Sequence, residues 1–286
     1  MRIDEFYAFM RERESIRLKK EAGEPWPWTS DPILQTYKFT NVKRAHDRTT
    51  RWFWSVLDEH KDDPPAHLLF NCAVFRYFGT IEFSKRIGWI ACWDENQKNI
   101  IKRKAKDMLS KKQKVFTGAY VITNQGISAP KQNVVVDIFL DGLWKKLPRL
   151  VQIAERSKRW QAVAEEMMTI QGFGGTGFMT KEILQDAIHT KVLSGCTDRN
   201  TWCPVGPGAR RGLNRLLGED IKRSMTAAWG LNVMKDIFAA RKKYWPADRV
   251  ELELHDIQFQ LCEFDKYERV RLGQGRPRSK YHRRDA

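Results

Sequence analysis

The chain has no Cys-x-x-Cys pair. Its five cysteines, Cys72, Cys92, Cys196, Cys203 and Cys262, are odd in number and scattered. That supports neither a disulfide framework nor a four-cysteine zinc or iron–sulfur site. No metal is therefore expected, and a reducing, cytoplasmic setting fits. A long apolar run is missing too, since the stretch from His67 to Phe78 is broken by Asn71 and Arg76. No membrane-spanning segment and no membrane partner are expected. The opening MRIDEFYAFMRERESIRLKK carries charge at every turn and lacks the apolar core of a signal peptide. There is no internal repeat, and the only biased segment is the basic tail 273–286, GQGRPRSKYHRRDA, for which disorder and ordering on DNA are both compatible readings.

What the chain does have is positive charge. Lysine plus arginine number 51 against 35 acidic residues, so 51 − 35 gives +16 over 286 residues. Neutralising phosphates releases counterions and steers encounter, so a polyanionic partner is favoured. Charge alone fits a basic surface without a specific site equally well. The length allows one large or two small domains. Eleven tryptophans and 12% aromatics suit base stacking or an edge-polar pocket, although most of them serve a core.

Helical periodicity dominates. Phe6, Phe9, Met10 and Ile16 recur at helical spacing over 4–20, and prolines at 25, 27 and 32 then impose a rigid loop. Helices are predicted over 44–59, through HLLFNCAVFRYF to Gly79, over 98–114, and from Trp144 to Met168. The β-branched VFTGAYVITNQGISAPKQNVVVD is the best candidate for extended structure, and its apolar end reads equally well as a buried helix. The fold class is mainly α with few or no strands. Two helical lobes are expected, about 1–140 and 141–272.

The most informative stretch is IQGFGGTGFMTKEILQDA, residues 170–187. It reads as a helix end, a Gly-Phe-Gly-Gly turn and a second helix. Gly172, Gly174, Gly175 and Gly177 permit positive φ and remove bulk, so backbone N–H groups near Thr176 can approach a phosphate at a helix start. Lys181 would add charge. Phe173 would plug the turn into the core, with Ile183 and Leu184 packing the second helix. A P-loop fails because Gly177 is followed by Phe178-Met179, and a dinucleotide fingerprint fails because a helix precedes the glycines. A merely structural helical hairpin remains as the alternative.

After the hairpin come a polar loop with Asp198 and a helix over 209–217, on which Arg210, Arg211, Asn214 and Arg215 read as exposed. This order resembles the helix-hairpin-helix DNA glycosylases, in which an aspartate shortly after the hairpin is the catalytic acid. Asp198 follows Thr176 by 198 − 176 = 22 residues. Thr176 stands where lyase-type members carry a Schiff-base lysine, so lyase chemistry is not implied. Four blocks in order, PWTSDPILQTYKFTNVKRAHDRTTRW, FTGAYVITNQG, the hairpin with PVGPGARRGLNRLLG, and LCEFDKYERVRLGQGRPRSKY, are similar to a narrower group. This is the alpha-glutamyl/putrescinyl thymine pyrophosphorylase family of phages, also known as the helical domain accompanying 5-hydroxymethyluracil DNA kinases. The resemblance implies a glycosylase-like helical fold and a place in the cytoplasm of a phage-infected bacterial host. It further implies replacement of the phosphate on phosphorylated 5-hydroxymethyluracil in double-stranded DNA by an amino acid or polyamine. A hydroxymethyluracil DNA kinase would be the functional partner, and no bound cofactor is expected beyond the amine co-substrate.

Such chemistry asks for an extruded base, a stabilised leaving group and a proton acceptor. Asp198 is the first candidate base, with Asp47 and Glu263 next, and a helix-capping carboxylate is the structural alternative for Asp198. Arg44, Arg48, Arg210 and Arg211 are candidates for the phosphate because guanidinium grips it bidentately. Trp28, Thr29, Asn41 and Trp202 are candidates for the base pocket. Cys196 and Cys203 flank Asp198 as thiols that could attack the ring, but small buried cysteines are commoner than nucleophiles. A monofunctional glycosylase, or a non-catalytic DNA-binding module, would account for the same features.

Overall fold

The computed structural model describes residues 1–277 and 279–281. Among them the protein is mainly helical and has no strand. In chain order the helices are α1 (Ile3–Glu21), α2 (Pro32–Thr36), α3 (Arg48–Glu59), α4 (Pro65–Phe78), α5 (Ile81–Ile87), α6 (Glu95–Ser110) and α7 (Lys131–Val134). They continue as α8 (Asp141–Ser157), α9 (Trp160–Met167), α10 (Phe178–Ala187), α11 (Pro207–Leu217), α12 (Ala227–Tyr244) and α13 (Leu254–Arg271). No described helix is long and apolar enough to cross a membrane.

The chain divides into an end unit, 1–47 with 199–286, and a central unit, 48–198. The division is not the sequential one near residue 140 that the sequence suggested, because α1 packs on α12 and α13 and so gathers the two chain ends into one core. α13 is buried along most of its length, down to Gln258, Gln260, Asp265 and Glu268. It lies so close to α11 that a Cβ on Gly212 would overlap the Leu261 carbonyl, and one on Gly208 would come 2.8 Å from Cys262 Sγ. Glycines four apart on α11 therefore make the close approach possible. Asp265 fastens the same pair, accepting from Arg211 Nε at 2.8 Å and Arg215 Nε at 2.7 Å.

In the central unit α4 is buried from Leu68 to Phe78, the signature of a helix that is apolar all round. Gly79 ends it at φ +67°, as its position after the periodic run requires. α4 contacts α5, α8 and α10. The candidate extended segment is not a strand. Residues 115–130 run as turns and loop, and Val134, Val135, Val136, Phe139 and Leu140 are buried in α7 and the π-helical turn Val135–Leu140 that joins it to α8. Helical geometry buries these apolar side chains together and points Asp137 and Asp141, four apart, toward Lys102 at 2.7 Å and Lys98 at 2.5 Å on α6.

Of the basic tail, Arg278 and residues 282–286 lie outside the described residues. Residues 279–281 pair with 36–38 through Lys38 N to Ser279 O and Tyr281 N to Thr36 O, both 3.0 Å.

Candidate functional site

The hairpin forms in the central unit where the glycine pattern places it. Gly172 has φ +98°, and a Cβ there would overlap the Phe139 ring. The Tyr77 hydroxyl donates to Gly172 O at 2.7 Å, and the Thr180 hydroxyl donates to Phe173 O at 2.8 Å. Phe173 is fully buried, as are Ile183 and Leu184, so one side of the turn is anchored in the core. The other side is open, since Gly175 and Thr176 are exposed. Gly177, at φ +71°, starts α10 without a side-chain cap. Uncapped N–H groups at the positive end of a helix dipole are what an anionic backbone binds.

Lys181 does not share in that surface. Its side chain is wholly buried and pairs with Glu182 at 2.8 Å. Beneath α10 lies a second buried pair, Arg76 with Asp186, joined at 2.5 Å through both Nε and Nη2. Trp54 Nε1 donates to the same carboxylate at 2.9 Å. Arg76 is the residue that breaks the apolar run of α4, so a charge inside an apolar stripe was the available signal for this network.

Asp198 ends the central unit and is 3% exposed. Its two carboxylate oxygens accept from the backbone N–H groups of Trp160 at 2.8 Å and Gln161 at 3.0 Å. It thus caps α9, the helix that leads into the hairpin, which is the structural alternative considered for it. Arg159 Nε approaches at 3.7 Å. Cys196 and Cys203 are both buried.

Other predicted residues gather in the end unit. Residues 44–46 form a 3₁₀ turn, and Asp47 is extended at ψ 131°, so the helix predicted from residue 44 begins at Arg48 and Asn41 does not share a helix face with Arg44. Asp47 Oδ1 accepts from Asn41 N, and Glu263 Oε2 accepts from Thr40 N, each at 3.1 Å. Lys266 pairs with Glu263 at 2.7 Å. The Arg44 guanidinium lies 5.0 Å from the Phe259 ring centroid. Both carboxylates act electrostatically on Arg13, which is buried on the apolar stripe of α1. Sequence reasoning passed over Arg13, although a charge at a position where the periodicity calls for an apolar residue marks it. Trp28 and Thr29 are largely buried in the neighbouring loop, where Trp28 meets Tyr281 edge-on at 5.8 Å.

The remaining predictions scatter. Arg48 is exposed at the start of α3 in the central unit, whereas Trp202 is half-buried in the end unit. Arg210 is half-buried, and Arg211 is partly exposed but engaged with Asp265. Asn214 and Arg215 are buried rather than exposed, and Arg215 pairs with Asp265 on α13 at 2.7 Å. Asn214 Nδ2 donates to Ile221 O and Arg223 O, at 3.3 Å and 2.9 Å. Among the described residues one trio of potential metal ligands lies close together, Glu253, His255 and Asp256. Glu253 and Asp256 form the capping box of α13, and Arg199 Nε stands 3.5 Å from Glu253. That arrangement is a charged helix start.

Comparison with known proteins gives two matches. The family model described as the 5-hmdU DNA kinase, helical domain, matches residues 1–276. A 5-hmdU DNA kinase of Bacillus phage SP10 is 25% identical over 294 residues, covering 92% of this chain and 44% of that protein. The chain thus spans less than half the length of this curated relative. No solved structure matches it.

Proposed function

The chain belongs to the 5-hmdU DNA kinase helical-domain family, and from that premise we propose that it acts on DNA carrying 5-hydroxymethyluracil. The observation that carries the reading is the family match over residues 1–276. The open glycine turn before α10, in a chain of net charge +16, supports the DNA-gripping part of it. In this reading the helical core is a divergent helix-hairpin-helix, glycosylase-like fold, and the reaction is transfer of an amine onto phosphorylated 5-hydroxymethyluracil.

The target base leaves the stack. The amine nitrogen of an amino acid or polyamine attacks the exocyclic methylene carbon as the carbon–oxygen bond to phosphate breaks. Phosphate departs with the bonding pair, stabilised by guanidinium groups, and the surplus proton on nitrogen passes to a carboxylate. Asp198 is committed to capping α9 through both oxygens, so the base role passes to Asp47 or Glu263. Asp198 then acts as a positioning residue that holds the hairpin's first helix.

A second reading has its own support. The matched relative bears the name of a kinase and is more than twice the length of the matched region, which suits a non-catalytic module that places DNA for a partner kinase. One experiment separates the two. Hydroxymethyluracil DNA is treated with a cognate kinase, ATP, this protein and a pool of amino acids and polyamines, then digested to nucleosides for mass spectrometry. The transferase reading expects a thymidine adduct heavier by one amine, lost in Asp47→Asn or Glu263→Gln. Intact phosphorylated base in every reaction, alongside salt-sensitive DNA binding, refutes transfer and supports the module. Free base with abasic sites identifies a glycosylase.

A further inference from the structure

We propose that the end unit contains a binding site for a single phosphoryl group, built around the buried guanidinium of Arg13. The site is a cavity of about 70 Å³ whose lining includes Arg13, Arg17, Lys20, Thr40, Asn41 and Tyr281. Among the described residues, every charged side chain that lines it is a cation.

Arg13 is the unusual member. It is 5% exposed, and its guanidinium donates to two neutral acceptors, Gln260 Oε1 and the Thr40 carbonyl. Its Nε has no hydrogen-bond partner among the described residues. No carboxylate makes an ion pair with it there. Glu263, Asp47 and Glu14 act on it only through space, and burial outweighs them to pull the guanidinium below its ordinary pKa. A guanidinium does not lose its proton in a protein, so a positive charge is held in the core with no contacting counter-ion among the described residues. Holding a buried charge without a contacting partner is costly. An anion in the adjoining cavity removes that penalty.

Size and surroundings select the anion. An apolar cavity of about 150 Å³ takes a benzene ring, so about 70 Å³ is too small for a nucleobase. It exceeds the roughly 10–15 Å³ that a cavity needs to hold one water, which suits one tetrahedral oxyanion. Arg13 offers a planar fork matched to phosphate oxygens. The Thr40 hydroxyl is buried without a partner among the described residues and is a further donor. Lys20, in the lining, has its Nζ 4.9 Å and 5.0 Å from the Trp28 and Tyr281 ring centroids. Lys38 Nζ lies 5.5 Å from the Tyr281 ring centroid. Arg17 is already partly neutralised by Glu14 at 2.6 Å and Glu21 at 2.5 Å, so the main charge falls to the buried Arg13.

Which phosphate the site takes in the cell rests on the function proposed above, where it is the group leaving the phosphorylated base. Occupancy itself can be tested with neither DNA nor amine present. Inorganic phosphate is titrated into the full chain at constant ionic strength and followed by calorimetry, with acetate and glutamate as carboxylate controls. Saturable binding of one phosphate, weakened about tenfold or more in the exposed variant Lys20→Gln and abolished in Arg13→Gln, is expected. Should Arg13→Gln fail to fold, Lys20→Gln decides, with unchanged circular dichroism as its control for folding. Absence of saturable binding up to about 10 mM phosphate, equal affinity in Lys20→Gln, or equal binding of acetate overturns the site. Phosphate binding without base transfer would retain the site and reject the transferase reading, and the reverse result would reject the site alone.

Discussion

Two glycines in one turn should respond very differently to alanine. Gly172 and Gly175 both have positive φ, +98° and +69°, so either alanine carries a backbone penalty of about 1–2 kcal/mol. At Gly175 nothing lies within 4 Å of the added Cβ, whereas at Gly172 the Cβ would overlap the Phe139 ring. Phe139 is itself buried against Tyr77, at 5.6 Å between ring centroids, so it has little room to yield. Overpacking of this kind adds about 1–3 kcal/mol. Gly172→Ala should therefore destabilise the protein by about 2 kcal/mol more than Gly175→Ala does. For a unit of this size that corresponds to a melting temperature roughly 4–8 °C lower. Urea and thermal unfolding of the two variants and wild type supply the comparison. DNA binding at low salt should show the opposite ranking per unit of stability lost, because Gly175 is at the exposed side of the turn and Gly172 at the anchored side. Equal destabilisation by the two substitutions would refute the claim that Phe139 sets the geometry of the turn.

Two further substitutions test the buried charges. Asp186→Asn leaves Arg76 buried without its carboxylate and should cost about 3–5 kcal/mol, with most of it recovered in an Arg76→Met, Asp186→Leu double variant; a single variant as stable as wild type in urea would show that the pair is not closed. Burial pushes the Glu268 carboxyl up, but hydrogen bonds from Arg271 at 2.7 Å and Arg2 at 2.8 Å outweigh it, so its pKa is lowered. A group lowered on folding contributes fully above its unfolded value of about 4.3, and the contribution fades as the pH falls through the folded value. Glu268→Gln should thus cost about 2 kcal/mol near pH 7, and the gap to wild type should close below about pH 4. A gap that stays constant from neutral to acid pH would contradict this assignment.

Much of the local structure was legible because its causes are local. The apolar spacing of Phe6, Phe9, Met10 and Ile16 needs only a helix to make one face. Gly79 stops α4 in the left-handed conformation that its neighbours disfavour. The turn at residues 172–177 is encoded by its glycines, and the plug at Phe173 by the single large apolar residue between them. The VVVDIFL run was ambiguous for the same reason, since a β-branched buried segment satisfies strand and helix alike. Burial settled it, since the helical turn puts Val135, Val136, Phe139 and Leu140 in the core while Asp137 and Asp141 meet lysines of α6.

The candidate site was less legible, because the meaning of a polar side chain depends on what reaches it from distant sequence. Asp198 reads from the chain as a candidate base or a capping carboxylate alike, and only the fold brings the N–H groups of residues 160 and 161 to it. Lys181 and Asn214 stand among residues that look exposed, but their faces of α10 and α11 turn inward. Sequence by itself determined the helical class, the hairpin and the charge that calls for a polyanion, all of them consequences of composition and short-range spacing. Tertiary structure alone joined the two ends of the chain, set Asp47 and Glu263 around Arg13, and left that arginine without a contacting carboxylate among the described residues. Burial and ion pairing are properties of neighbours in space, and only the folded chain brings those neighbours together.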